Sequence, residues 1–347
     1  MATFHKINIQ EVIRETADAV SLIFDIPGNL KSNFAFHSGQ YLTLKKTING
    51  KEVRRAYSIC SSPTDNYLKV AIKAVENGTF STYATSELKA GNFIEISEPE
   101  GKFILEPSSN KNYIAFAAGS GITPILSMVK DVLSNETTST FTLIYGNKTV
   151  DDIIFKNELD ALKEANSDRF NLHYVCSREE LEGSLFGRID EKNTNFYLSN
   201  YKNTTFEAAY LCGPEEMINV VSDTLLENGF SNENIHFELF TASIDEEATS
   251  KIKEGTTEIT VLLDDEETTF IMEQTDDILA ASLRNNLDAP YSCQGGVCSS
   301  CLCKVTEGKA VMVKNSILDD DEIDEGFVLA CQAHPTTSKI VIDFDDV

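Results

Sequence analysis

Residues 290–308 read PYSCQGGVCSSCLCKVTEG, and Cys331 follows thirty residues after Cys301. Cys293, Cys298 and Cys301 are therefore spaced C-x4-C-x2-C with one distant partner, which is a 2Fe–2S ligand spacing. The chemistry needs this pattern. A loop that wraps a cluster must aim backbone N–H groups at its sulfurs, and in Gln294-Gly295-Gly296-Val297 two residues have no Cβ in the way. The alternatives are a zinc site and a set of inert buried thiols. Zinc sites favour short C-x2-C pairs and seldom use this run with a lone distant cysteine. Five of the eight cysteines lie between Cys293 and Cys331, and such clustering favours metal binding over disulfides where no export signal is seen. Cys303 is expected as a small buried side chain on the following strand rather than a ligand.

Working outward, the C-terminal third differs from the rest of the chain. Residues 241–347 hold 23 Asp/Glu against 7 Lys/Arg, a net of −16 out of −26 for the whole protein. The segment 241–257 (TASIDEEATSKIKEGTT) is small and charged without an apolar period, and is expected to be a linker. Beyond it, Glu258–Leu263 and Thr268–Met272 flank the acidic turn Asp264–Glu267 and predict a hairpin. Thr275 is expected to cap a helix running from Asp276 to about Leu287. The run around Cys293 resembles the cluster loop of plant-type ferredoxins, and that resemblance implies a β-grasp domain over residues 258–347.

The chain has 347 residues, 41% hydrophobic and 24% charged, which suits two or three globular domains. No apolar stretch is long enough to span a membrane, and Met1–Gln10 lacks the basic flank and apolar core of an export signal. A cytoplasmic protein is expected, with no membrane partner. The strongly negative charge repels a phosphate backbone, so no nucleic-acid partner is expected either. Residues 1–105 read as short strands (Val20–Ile26, Gln40–Leu44, Tyr67–Lys73, Phe93–Ser97) broken by Gly-containing turns, the pattern of an antiparallel barrel or sandwich. From 106 to 240 the rhythm becomes strand then helix: Tyr113–Ala117, a helix over Ile125–Leu133, then Phe141–Tyr145, Leu172–Cys176 and Ala208–Leu211. That alternation predicts a parallel α/β sheet.

Several motifs along these two regions resemble the ferredoxin–NADP+ reductase family. Arg55-Ala56-Tyr57-Ser58 is similar to its RxYS flavin motif, and Gly78-Thr79-Phe80-Ser81 to its second flavin element. Gln40-Tyr41 and Pro99–Phe103 also match family positions. The resemblance implies that Arg55 pairs with a flavin phosphate, Tyr57 stacks on the ring, Ser58 bonds near the reactive nitrogen, Gly78 permits close approach and Ser81 reaches the pyrophosphate. Gly119-Ser120-Gly121-Ile122-Thr123-Pro124 resembles the family's G-x-G-x-x-P loop, which sets free N–H groups at a helix start before a phosphate. Tyr145-Gly146-Asn147 and Cys212-Gly213-Pro214-Glu215 are further matches. The second turn implies that Cys212 lies beside the nicotinamide, and a buried structural role for it stays open. Phe240 stands where relatives place an aromatic residue against the flavin, with a core aromatic as the alternative.

Ser177-Arg178 stands where NADP-using relatives hold the extra ribose phosphate, and a guanidinium fork suits that group. Glu179 and Glu180 pull the other way, so NADPH is expected with NADH as the alternative. The flavin is expected to be FAD, with FMN as the alternative. The resemblance spans the whole chain: a flavin barrel, a parallel α/β nucleotide domain and a β-grasp ferredoxin domain in a multidomain α+β protein. Nicotinamide gives two electrons together and a 2Fe–2S cluster takes one, so a flavin must stand between them.

The domain order, RRAYSIC segment, LCGPEEM turn and HFELF ending are most similar to the reductase components of phenylacetyl-CoA epoxidase (ring 1,2-epoxidase) systems. That similarity implies phenylacetate catabolism and a di-iron oxygenase as electron acceptor. Three alternatives remain: a reductase of another oxygenase (ring-hydroxylating, alkane or fatty-acid), a ferredoxin or flavodoxin reductase, and a non-enzymatic electron carrier or redox sensor. The acidic run Asp319–Glu325 is either a solvated loop or the face that meets a basic patch on the acceptor.

Overall fold

The computed structural model describes residues 3–135, 138–240 and 244–347. They divide into two compact units, residues 3–238 and 239–347. Residues 241–243 of the expected linker lie outside the described residues.

The first unit opens with strands β1 (Phe4–Thr16), β2 (Ala19–Asp25), β3 (Tyr41–Ile48), β4 (Lys51–Ser58) and β5 (Leu68–Lys73), helix α1 (Thr79–Ser86) and strand β6 (Phe93–Ser97). The strands form a six-stranded sheet in the order β4-β3-β6-β1-β2-β5, antiparallel at every pairing. It curls round until Ile59, just past β4, bridges Val70 of β5. Alternation drives the curl: Ile7 and Ile9 of β1 face inward while Lys6 and Asn8 do not, the period of a strand with one buried face. Asn49 and Gly50 both take positive φ at the β3–β4 turn (51° and 78°), matching the twist of a two-residue hairpin. The expected strands sit within two residues of those observed at their starts, and β3 runs on to Ile48.

The second part of this unit holds β7 (Asn112–Ala118), α2 (Ile122–Asn135), β8 (Thr140–Asn147), α3 (Lys156–Ala165), β9 (Phe170–Cys176), β10 (Leu185–Phe186), α4 (Glu191–Asn200), β11 (Ala208–Cys212), α5 (Glu215–Glu227) and β12 (Ile235–Glu238). They build a six-stranded sheet ordered β10-β9-β8-β7-β11-β12, parallel throughout. Tyr113–Ala117 is buried on both faces, as a central parallel strand must be. The strand order reverses between β7 and β11, which makes their carboxyl ends the topological switch point where such sheets bind ligands. Helix α2 begins at Ile122, three residues before the expected Ile125. Its apolar side is packed so fully that even Lys130 and Asp131 are buried.

The other unit contains α6 (Glu246–Lys251), β13 (Thr256–Leu263), β14 (Glu266–Glu273), α7 (Ile278–Arg284), β15 (Leu302–Glu307), β16 (Ala310–Met312), α8 (Asp320–Asp324), β17 (Phe327–Leu329), β18 (Ala333–Pro335) and β19 (Lys339–Asp343). A five-stranded mixed sheet runs β14-β13-β19-β15-β17, with β16 and β18 paired apart. Ile278, Leu279 and Ala281 of α7 share one core with Ile259, Val261, Ile340 and Ile342 of the sheet. This is the helix-on-sheet arrangement expected of a β-grasp.

Three local expectations are corrected. The expected linker carries helix α6, capped by Asp245, whose Oδ1 accepts from Ala248 N at 2.9 Å, and Asp245 N donates to Val313 O at 2.7 Å. The hairpin turn is only Asp264-Asp265, both at positive φ, with the two N–H groups held by the Asp345 carboxylate at 2.9 Å each. The helix cap is Asp277 rather than Thr275: Asp277 Oδ1 accepts from Ala280 N at 2.7 Å, and the helix ends at Arg284. Among the described residues, no helix is long and apolar enough to cross a membrane.

Candidate functional site

Strand β4 ends in the flavin motif. Arg55 Nη1 donates to Arg54 O at 2.6 Å. The Tyr57 ring lies against Phe80, centroids 5.6 Å apart, and burial pushes its phenol above the ordinary value, with Arg55 opposing. Ala56 stands between them on the strand, half-buried. Gly78 starts α1 because nothing larger fits: a Cβ there would lie 2.3 Å from Ser81 Oγ and 2.5 Å from Val75 Cγ2. Ser81 Oγ accepts from Val75 N at 3.2 Å, so this hydroxyl ties the loop together. Among the described residues no side chain caps α1, so no side chain competes for its first N–H groups, the kind of helix end that suits an anion.

At the switch point two turns meet backbone to backbone. A Cβ on Gly121 would lie 2.1 Å from Cys212 O, and one on Gly213 would lie 2.6 Å from Met217 Cε and 3.1 Å from Ala118 Cβ. Gly119 has φ +55°, with open space where a Cβ would stand. Tyr145 OH donates to Gly119 O at 2.9 Å, and Thr123 Oγ1 donates to Ser120 O at 3.0 Å. Pro214 then leads into α5. The carboxamide of Asn147 is buried beside the Tyr145 hydroxyl, with no hydrogen bond of regular geometry among the described residues. A left-handed glycine over open space and a buried carboxamide at the strand ends suit a nucleotide site.

Ser58 and Cys212 are brought together through Glu238, a residue the sequence reading did not single out. Ser58 Oγ donates to Glu238 Oε2 at 3.3 Å. Cys212 and Glu238 are paired on neighbouring strands. Burial, then the Glu238 charge, push the Cys212 thiol well above its ordinary value, so it stays a neutral thiol. The signal for Glu238 was an acid between two apolar residues in His236–Phe240. Phe240 itself belongs to the other unit and is 38% exposed.

Past β9, Ser177 N donates to Asn147 O at 3.0 Å and Arg178 N to Lys148 O at 2.8 Å. This sets both residues at the ends of β8 and β9, with Arg178 exposed. Glu179 is turned elsewhere, its Oε2 accepting from Val150 N at 2.9 Å.

The four candidate thiols converge two and two. Cys298 Sγ donates to Cys293 Sγ at 3.1 Å, and Cys301 and Cys331 interact likewise. The Cys298 thiol, then the N–H groups of Gly295 and Val297, pull Cys293 down to about 7, while burial opposes. Cys301, the Gln332 amide and Gly296 N–H hold Cys331 below its usual value, again against burial. Gln332 Nε2 also donates to Gln294 O at 3.1 Å; this second missed residue was signalled only by its place beside a ligand. Gly296 has φ +74°, and a Cβ there would sit 2.7 Å from Lys314 O. Its own oxygen accepts from Ser316 N and Ser316 Oγ, each at 3.1 Å. Among the described residues, no group of three or more His, Cys, Asp or Glu side chains is set to hold a metal ion. Two thiol pairs lined with N–H donors fit a binuclear cluster, each pair serving one iron. Cys303 points away on β15, its Sγ 3.6 Å from Val328 O.

Comparison with known proteins agrees with this geometry. Models of an oxidoreductase FAD-binding domain, an oxidoreductase NAD-binding domain and a 2Fe–2S iron–sulfur cluster binding domain match residues 6–104, 116–223 and 261–336. The chain is 39% identical to a component of the 1,2-phenylacetyl-CoA epoxidase of Escherichia coli (strain K12), covering 99% of both. It is 31% identical to the ferredoxin reductase component of 3-ketosteroid-9-alpha-monooxygenase of Rhodococcus rhodochrous, over 97% of this chain and 96% of the relative. Phthalate dioxygenase reductase shares the fold, with a TM-score of 0.69, 23% identity and 98% of each chain covered. The chain belongs to the family of NAD(P)H-dependent reductase components, built from FAD-binding, NAD-binding and 2Fe–2S domains, that includes this component of 1,2-phenylacetyl-CoA epoxidase.

Proposed function

We propose that this protein takes electrons from NADPH and delivers them, through FAD and a 2Fe–2S cluster, to a di-iron oxygenase that epoxidises phenylacetyl-CoA in the cytoplasm. The observation that carries the reading is the Ser58–Glu238 hydrogen bond. It joins the end of the flavin strand to the strand beside Cys212, so that flavin motif and nicotinamide crevice share one wall.

Bound flavin supplies the conversion of a hydride into single electrons. The residues supply position. Arg55 offers a phosphate its guanidinium, Tyr57 and Phe80 give the ring an aromatic bed, and Gly78, Phe80 and Ser81 shape the loop that starts α1. Gly119, Gly121, Thr123, Gly213 and Pro214 shape the crevice for the dinucleotide, and Ser58 and Cys212 flank its reacting end. Glu238 orients the Ser58 hydroxyl. Ser177 and Arg178 stand ready for a 2′-phosphate; because Glu179 is engaged by Val150 N–H, the nearer acid no longer argues for NADH. Cys293, Cys298, Cys301 and Cys331 hold the cluster. Similarity to the Escherichia coli epoxidase component at 39% identity supports the acceptor.

The test is reconstitution with oxygenase subunits of that type. Phenylacetyl-CoA should trigger NADPH and dioxygen consumption and yield the epoxide. Activity only with an oxygenase of the 3-ketosteroid kind, or only with a separate ferredoxin, would overturn the assignment of the acceptor while leaving the reductase reading in place.

A further inference from the structure

Charged side chains are seldom buried unless paired, and between barrel and nucleotide lobe the unit of residues 3–238 buries two lysines against half-buried carboxylates. Lys69 of β5 is 4% exposed and Lys130 of α2 is 9% exposed. Glu158, in the first turn of α3, splits its carboxylate between them: Oε2 lies 2.7 Å from Lys69 Nζ and Oε1 lies 3.2 Å from Lys130 Nζ. Lys130 then reaches back to the barrel side, pairing with Asp65 and donating to Tyr67 OH at 2.9 Å. The charges thus alternate along Asp65, Lys130, Glu158 and Lys69. Burial works against the Lys130 charge, but Asp65, Tyr67 and Glu158 together hold its ammonium above the ordinary value.

Two further features serve this chain. Phe155 takes φ +63°, a costly left-handed conformation for an aromatic residue, and so lies buried with Lys69 Nζ 4.8 Å from its ring centroid. One turn before Lys130, Ser127 Oγ donates to Ser61 O at 2.7 Å, fastening the same face of α2 to the barrel. Mere adhesion would not call for ions, since a buried ion pair gains little over apolar side chains of the same volume. What ions add is direction: each bond demands one orientation of the two bodies. The anchored parts are also the ones that matter, because α2 leads directly out of the Gly119–Gly121 turn and Asp65 lies shortly after Ser58.

We propose that the Asp65–Lys130–Glu158–Lys69 chain is a positioning device that sets the nucleotide lobe on the flavin barrel at the spacing hydride transfer requires. The inference rests on the reading of this unit as the place where nicotinamide meets flavin. Glu158→Gln removes the carboxylate charge shared by two buried lysines and should shift the lobe. In anaerobic stopped-flow mixing of the holoprotein with NADPH, the limiting rate of flavin reduction should fall about tenfold or more, while the nucleotide dissociation constant stays within about twofold. Lys111→Met, which removes the Lys111–Glu207 pair on the lobe surface (2.6 Å), should leave both unchanged. A Glu158→Gln protein that melts earlier but reduces flavin at the wild-type limiting rate would overturn the proposal, because the chain would then be structural only. Should that variant fail to fold, Asp65→Asn at the more exposed end gives the same reading. A limiting rate lowered roughly two- to fivefold with an unchanged dissociation constant supports it, and a wild-type rate overturns it. If the wild-type protein itself showed no flavin reduction by NADPH or NADH, the failure would lie with the underlying reading instead.

Discussion

The two units hold their cofactor residues in opposite ways. In residues 239–347 the proposed ligands Cys293, Cys298 and Cys301 come from one loop, and backbone N–H groups and a single glycine contact arrange them. In residues 3–238 the proposed reacting wall is assembled from ends of distant strands, as in the bond from Ser58 to Glu238, 180 residues apart. Charge follows the same division. The first unit buries two lysines and pairs them with half-buried carboxylates in a bridging chain, while in the second the acidic α8 run contains no buried residue. A local site tolerates a solvated, highly charged surround. A distributed site needs its surround to fix the geometry.

The sharpest way to break this contrast is Cys298→Ser. It should abolish the 2Fe–2S absorption and its electron paramagnetic resonance while flavin reduction by NADPH persists; Cys303→Ser should keep the cluster. A reversed outcome would move the ligand set. Next comes Glu238→Gln, which removes the charge that accepts from Ser58. Flavin reduction should slow by about ten- to a hundredfold with the cluster spectrum unchanged, and a wild-type rate would deny Glu238 a positioning role. Arg178→Ala should raise KM for NADPH by roughly tenfold or more, as loss of a charge-assisted contact of about 1.5–3 kcal/mol implies, and change that for NADH little. Equal effects on the two nucleotides would remove Arg178 from the 2′-phosphate site.

The smallest effect is expected at the acidic helix. Electron delivery to the oxygenase should slow as salt rises past the point where the Debye length is about 8–10 Å, whereas NADPH-to-flavin transfer should hardly change. Neutralising Asp319–Glu322 should flatten that slope. A flat profile in the wild type would leave these acids as solvating charge.

This division also explains what could be read from the sequence. The cysteine loop was legible because its ligands and its glycines lie together, and the parallel lobe because Tyr113–Ala117 is an unbroken apolar strand. Glu238 and Gln332 were not, since each acts through a partner reached only after folding. The helix at Glu246–Lys251 was missed although Asp245 and two following acids mark a helix start; only buried Ala248 anchors it, so no apolar period exists to notice. Thr275 and Asp277 are both capping residue types, and the choice between them was made by the turn that precedes α7. The ion-pair chain of Lys69, Lys130 and Glu158 left no trace at all, because lysines on amphipathic elements ordinarily point to water.

Electrons are to pass from nucleotide to flavin and only then to the cluster. The most direct measurement is anaerobic mixing of the protein with NADPH, with and without its flavin, followed by flavin absorbance and by the paramagnetic signal of the reduced cluster. Flavin absorbance should fall first, the cluster signal should follow, and flavin-free protein should give no cluster signal on that timescale. Reduction of the cluster at an unchanged rate in flavin-free protein would contradict that order.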